Sequence, residues 1–371
     1  MGAYQFAITI GLLLAAVVNN GTKNRNDSGS YRIPVALQFG WALILAGGLC
    51  FLPESPRWLI MKGKHEKSAR ALSRLRRLDP THPAIVDELA EVRANHEYEL
   101  SIGKASYVEC FRGTIRKRLL TGCATQALQQ LSGVNFIFYY GTSYFERAGI
   151  DNPFTIQVVT NTVNVVSTIP GLYLVEKLGR RNLLLFGAIG MCVSQFIVAI
   201  VGTVAGTTDL PAQRAGISFT CIYIFFFAAS WGPCAWVVNG ELYPLKVRAR
   251  ALSLATATNW LFNFIIAYST PRLVNEEAAN LQAKVFFIWA CFCLIAVGFV
   301  YFFIYETKNL TLEQVDELYS MVGKAWQSKK YRPQVSYKDV APGDRKRSLR
   351  ELSVAHDTSN PVHDGEKDEE S

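Results

Sequence analysis

The chain has 371 residues, of which 50% are hydrophobic, 12% aromatic and only 18% charged, and its formal net charge is +8. An average soluble domain carries about 25% charged residues; here the charge is gathered between long apolar runs, which excludes an ordinary water-soluble globule. The basic excess lies mostly in the connections, a pattern of membrane topology rather than of a nucleic-acid face, so no nucleic-acid partner is expected.

About 20 residues of helix cross the hydrocarbon layer of a bilayer. Eight apolar runs reach that length, at 3–19, 33–52, 118–146, 154–175, 182–204, 214–238, 250–270 and 283–305. Only helices and closed barrels satisfy their backbone groups in lipid, and these runs lack the period of two that a barrel needs. The predicted fold class is therefore an all-α integral membrane protein, with the lipid bilayer as its surroundings. The first run has no basic n-region and reads as a span rather than a signal peptide.

Between the second and third spans lies a soluble stretch, 53–117, with Arg57, Lys62, Lys64, Lys67, Arg70, Arg74, Arg76 and Arg77 in its first part. That excess of Lys and Arg places it in the cytoplasm. Alternation then puts the basic turns 176–181 and 245–250 inside, the less basic loops 207–214 and 271–284 outside, and both termini in the cytoplasm. Within the stretch, 55–78 and 84–98 have helical spacing; Leu72, Leu75 and Leu78 share a face, and Pro80 and Pro83 punctuate the gap. A further helix is predicted over 311–322, and the polar tail beyond Lys329 is expected to be disordered.

Polar side chains are costly in lipid, so their positions inside the spans carry information. In the third span Gln126, Gln129, Gln130 and Gly133 follow i, i+3, i+4, i+7 spacing, and Ser132-Gly133-Val134-Asn135 joins a helix-breaking glycine to another amide. An interrupted transmembrane helix lined by amides suits a substrate site near the bilayer midplane. Asn161, Asn164 and Thr168 line up in the fourth span, Thr256, Asn259 and Asn263 in the seventh, and Gln5 and Thr9 in the first. Neutral amides also serve as interhelical hydrogen-bond glue. Four amide-bearing spans with Trp231, Trp236 and Trp260 nearby fit a path for a polar solute better. A sugar is uncharged and rich in hydroxyls; Asn and Gln both donate and accept, and an indole face stacks on a pyranose ring. No His lies in a span and no carboxylates pair, so no catalytic residue is expected and the chain does not read as an enzyme. The cysteines lack metal-ligand spacing; neither a metal nor a cofactor is expected.

Several ordered motifs resemble the sugar porters of the major facilitator superfamily. Pro53-Glu54-Ser55-Pro56-Arg57-Trp58-Leu59 resembles their signature after the sixth helix, and Gln129-Gln130-Leu131-Ser132-Gly133-Val134-Asn135 their seventh-helix sugar motif. Glu176-Lys177-Leu178-Gly179-Arg180-Arg181 resembles the turn between helices eight and nine. Glu241-Leu242-Tyr243-Pro244 with Arg248-Ala249-Arg250 is similar to the turn after helix ten, and Glu306-Thr307-Lys308 to the motif after helix twelve. The long basic stretch looks most like fungal monosaccharide transporters.

The resemblance implies sugar contacts at Gln5, Gln129, Gln130, Asn135, Asn164, Trp236 and Asn259, with Trp260 shaping the pocket. It implies a cytoplasmic latch of Glu54, Arg57, Glu176, Arg180, Arg181, Glu241 and Arg248. It further implies plasma-membrane monosaccharide transport with protons as partners; a sugar sensor and a quinate or polyol permease are the alternatives. The family has twelve helices in two halves, and by the motifs this chain enters at helix five. The expected fold is then an incomplete one: 1–52 as two helices of the N-terminal half, 53–117 as cytoplasmic linker, 118–305 as the C-terminal six-helix half, and 306–371 as cytoplasmic tail. Such a chain is expected not to transport by itself.

Overall fold

The computed structural model describes residues 2–102, 106–147, 152–204, 210–244, 246–274, 279, 281–310 and 312–331. Two helices come first, α1 (Gly2–Thr22) and α2 (Gly29–Phe51). Three follow in the basic stretch: α3 (Pro56–Met61), α4 (His65–Arg76) and α5 (Pro83–Ile102). The stretch 55–78, predicted as one helix, is two, because the chain turns at Gly63 with φ +70°, a left-handed conformation that glycine adopts without penalty. Of the three leucines expected to share a face, only Leu72 is buried; Leu75 is 51% exposed and Leu78 38%. Pro83 opens α5 rather than lying in the gap.

The rest is a bundle of α6 (Gly113–Leu131), α7 (Val134–Arg147), α8 (Pro153–Leu178), α9 (Arg180–Val204), α10 (Leu210–Phe226), α11 (Gly232–Glu241), α12 (Arg248–Val274) and α13 (Val285–Phe303). The short helix α14 (Leu312–Met321) follows. No strand occurs among the described residues. Among the described residues, seven helical stretches are long and apolar enough to cross a membrane, α10 to α11 counting as one. The third predicted span, 118–146, is not among them; it is the discontinuous pair α6 and α7. It breaks where the sequence suggested, at Gly133 with φ +86°. The expected span 214–238 likewise holds a feature that hydropathy does not report: α10 passes into α11 through a π-helical turn, Phe227–Trp231.

The main core lies where α6 to α10 and α13 meet, around Trp231, Tyr223, Phe136, Phe286 and Met191, each at most 1% exposed. Small residues let the backbones approach, as is usual between helices in lipid. A Cβ on Gly171 of α8 would stand 2.8 Å from the Ala229 backbone in the π turn, and one on Gly190 of α9 would stand 2.4 Å from the Phe226 ring. Among the helices of the first pair, α1 packs on α8 and α11, while α2 packs on α1 and buries none of its residues. Residues 332–371, where disorder is expected, lie outside the described residues.

Candidate solute site and charge network

Because Gln126, Gln129 and Gln130 share one face of α6, a single helix can gather their carboxamides, and α12 supplies the partner. Asn259 donates from Nδ2 to Gln126 Oε1 at 2.7 Å and to Gln129 Oε1 at 3.0 Å. Gln130 Nε2 in turn donates to Asn259 Oδ1 at 3.0 Å. Across the break, Asn135 of α7 donates to Gln130 Oε1. These five amides form one network joining three helices. All but Asn135 are buried, and no charge lies among them.

Gln129 has a second task. Its Nε2 donates to the carbonyls of Trp231 (2.9 Å) and Gly232 (3.2 Å), at the end of the π turn. Such turns break the regular ladder and leave backbone acceptors to be satisfied by side chains. The Gln5 carboxamide of α1 lies over Gly232, with Nε2 3.3 Å from where a Cβ would stand. Trp236 is half-buried, and its ring meets that of Tyr4 edge-on at 5.3 Å. Asn164 is buried on α8 outside the network, and its Oδ1 has no hydrogen-bond partner. Trp260 is 60% exposed and stays apart from the amides. Gln126 is the network member that the family resemblance did not single out, although its spacing already placed it on the shared face.

At the end of the bundle where α8 meets α9, the expected latch residues divide. Arg180 holds Glu241 in a two-point ion pair, Nη2 to Oε1 at 2.6 Å and Nε to Oε2 at 3.1 Å. Thr307 Oγ1 donates to the same carboxylate at 2.7 Å. Glu306 caps α9: its oxygens accept the backbone N–H groups of Arg180 (2.9 Å) and Arg181 (3.2 Å), placing negative charge at a helix N-terminus. This geometry requires Gly179, whose φ is +88° and whose Cβ would stand 2.5 Å from the Glu306 carboxylate. Arg181 donates to the Tyr301 carbonyl at 2.9 Å, and Arg248 to that of Gly240. Glu54, Arg57 and Glu176 are exposed, whereas the Arg180 and Glu241 side chains are 13% and 25% exposed. Glu306 and Thr307 are thus the members that the expected set lacked. The readable signal was a carboxylate placed directly after an apolar span whose end returns to the basic turn.

A family model described as "Sugar (and other) transporter" matches residues 1–319. The chain belongs to this family. Its membership in the major facilitator superfamily agrees with the relatives. The chain is 55% identical over 370 residues to the "Major facilitator-type transporter ecdD" of Aspergillus rugulosus, covering 97% of this chain and 68% of that protein. It is 51% identical over 346 residues to the "Probable glucose transporter rco-3" of Neurospora crassa, covering 91% and 58%. The fold is similar to that of XylE from E. coli, described as a proton:xylose symporter bound to 6-bromo-6-deoxy-D-glucose, with TM-score 0.67 and 26% identity over 86% of this chain and 66% of that one. The chain thus spans roughly two thirds or less of the proteins it matches. The amide network sits among the helices of this bundle.

Proposed function

We propose that this protein acts in transmembrane transport of a monosaccharide, a hexose or pentose, by proton-coupled symport across the plasma membrane, with both termini in the cytoplasm. The observation that carries the reading is the uncharged network of Gln126, Gln129, Gln130, Asn135 and Asn259, gathered at a broken helix. Hydroxyl groups exchange readily into such a network, since each amide offers a donor and an acceptor. In this reading Gln5, Gln129, Gln130, Asn135, Asn164, Trp236 and Asn259 contact the sugar, and Trp260 borders its path. The Arg180–Glu241 and Glu306 contacts latch the cytoplasmic side closed, and their rupture accompanies alternating access. Proton coupling is supported by the likeness to XylE.

Labelled glucose and xylose are offered to the purified protein and to transporter-deficient yeast expressing it, with and without a protonophore. Saturable binding that falls about tenfold or more in Asn259→Ala and Gln130→Ala is expected, since each variant removes hydrogen bonds inside a dry site. Binding indifferent to both substitutions would sink the assignment. Binding without uptake, by this chain and by a version extended upstream to the next in-frame start, would favour a sensor, the description carried by a relative 43% identical over 341 residues, the "High glucose sensor RGT2" of Saccharomyces cerevisiae.

A further inference from the structure

The break between α6 and α7 leaves a carbonyl without its helical donor. Phe136 N, which would serve Ser132 O in a continuous helix, bonds Gly133 O instead at 3.1 Å. Two close donors from other helices take its place, and the Cys293 thiol of α13 stands further off, at 4.0 Å. Gln195 of α9 donates from Nε2 to Ser132 O at 2.7 Å, and Tyr223 of α10 donates from its hydroxyl at 2.9 Å. Gln195 and Tyr223 are each 1% exposed and Ser132 2%. On the remaining side Trp289 of α13 packs on the glycine: a Cβ at Gly133 would stand 2.5 Å from its Cγ. Neither Gln195 nor Tyr223 touches the amide network, and α9 and α10 contribute no amide to it.

We propose that Gln195 and Tyr223 are positioning residues for the solute site: by holding the Ser132 carbonyl from two directions they set the angle at which α7 leaves α6. The functional half of this inference rests on the sugar reading above. Gln130 lies two residues before the held carbonyl and Asn135 three after it, so the distance between their amides follows that angle. A carbonyl accepting two strong donors has little freedom to swing, and in a water-free interior releasing it is costly. Satisfying the carbonyl would need one donor; two donors from separate helices also fix its direction.

The test uses the purified full chain carrying Cys50→Ser and Cys291→Ser. Spin labels are placed at exposed Ser143 of α7 and Ile200 of α9, with a control pair at Ile200 and Leu294 of α13. The double variant Gln195→Met/Tyr223→Phe keeps volume and removes both donors. It is expected to shift or broaden the Ser143–Ile200 distance, leave the control distance unchanged, and weaken glucose binding about tenfold, the effect of a misplaced partner rather than a lost one. Tyr223→Phe alone, which keeps one donor, should give a smaller change in both readouts. An unchanged Ser143–Ile200 distance overturns the proposal, as does an equal change in both pairs, which marks general loosening. Should the unsubstituted protein bind no glucose, the sugar reading fails, and the two distances still decide whether these residues place α7.

Discussion

Two stretches of this chain are similarly apolar and lead opposite structural lives. The helix Gly29–Phe51 buries 0% of its most apolar stretch inside the protein, whereas Pro211–Glu241 buries 67%. Hydropathy reports what a segment prefers as solvent; it does not report whether protein or lipid covers it. What separates the two is the pattern of small and polar residues. In α2, Gly40, Gly47 and Gly48 have nothing within 4 Å of a built Cβ. Around the π turn, Gly171, Gly187 and Gly190 each admit a neighbour to within 3 Å of that position. These glycines about the π turn are contacts, and those three in α2 are gaps.

The largest expected effect that sharpens this contrast is at Gly133. Gly133→Val forces a side chain into a left-handed conformation and into the Trp289 ring. It should cost about 3 kcal/mol, as strain plus overpacking, in a detergent unfolding titration. A loss below about 1 kcal/mol would mean that the break is soft and the bundle is not close-packed there. Next comes the ion pair. Arg180→Ala strands the Glu241 carboxylate, whose side chain is 25% exposed, and should cost about 2 kcal/mol, less than a fully buried pair would. Glu54→Ala, outside that pair, should change stability by less than about 0.5 kcal/mol. Smaller than the loss of the ion pair, and opposite in sign, Gly47→Ala in α2 should stabilise by about 0.5–1 kcal/mol, through helix propensity alone. Destabilisation there would reveal a packing partner for α2 and break the comparison.

The smallest effect concerns how the basic stretch 53–117 meets the bundle. Ser106 and Glu109 form a reciprocal cap over the 3-10 turn Tyr107–Phe111, and Glu109 reaches Lys246 at 3.2 Å. The Ser106 backbone N–H, then the Lys246 ammonium, hold the Glu109 carboxyl below its ordinary 4.5. A depressed carboxylate contributes stability that is complete above the unfolded value and lost as pH falls through the lower folded value. Glu109→Gln should therefore remove a slight acid-side slope below about pH 4.5 and leave neutral stability almost unchanged, as read by melting temperature against pH. An unaltered slope would show that this contact does not couple the two regions.

Much of this was legible in the residues. Charge-free runs located the spans, since a bilayer imposes one length on any helix that crosses it. The glycine after the paired glutamines located the break, and i, i+3, i+4 spacing put three amides on one face. Trp260 shows the limit: it follows Asn259 directly, yet one residue turns a side chain by about 100°, carrying it away from the face that meets α6. Glu306 shows another. Its place after the last span was evident, while its role as the cap of α9 depends on a helix that begins some 125 residues earlier.

The sequence by itself determined the helical class, the order of the long apolar helices and the amide-rich face of α6, because those follow from local composition and from the period of 3.6. Only the tertiary structure decided which amide bonds which, that Gln195 and Tyr223 hold the broken turn, that Arg180 takes Glu241 while Glu306 takes the helix end, and that α2 packs on α1 without burying any of its residues. Those outcomes depend on distances of about 3 Å between residues far apart along the chain, and hydrogen bonds lose their strength within a fraction of an ångström beyond that.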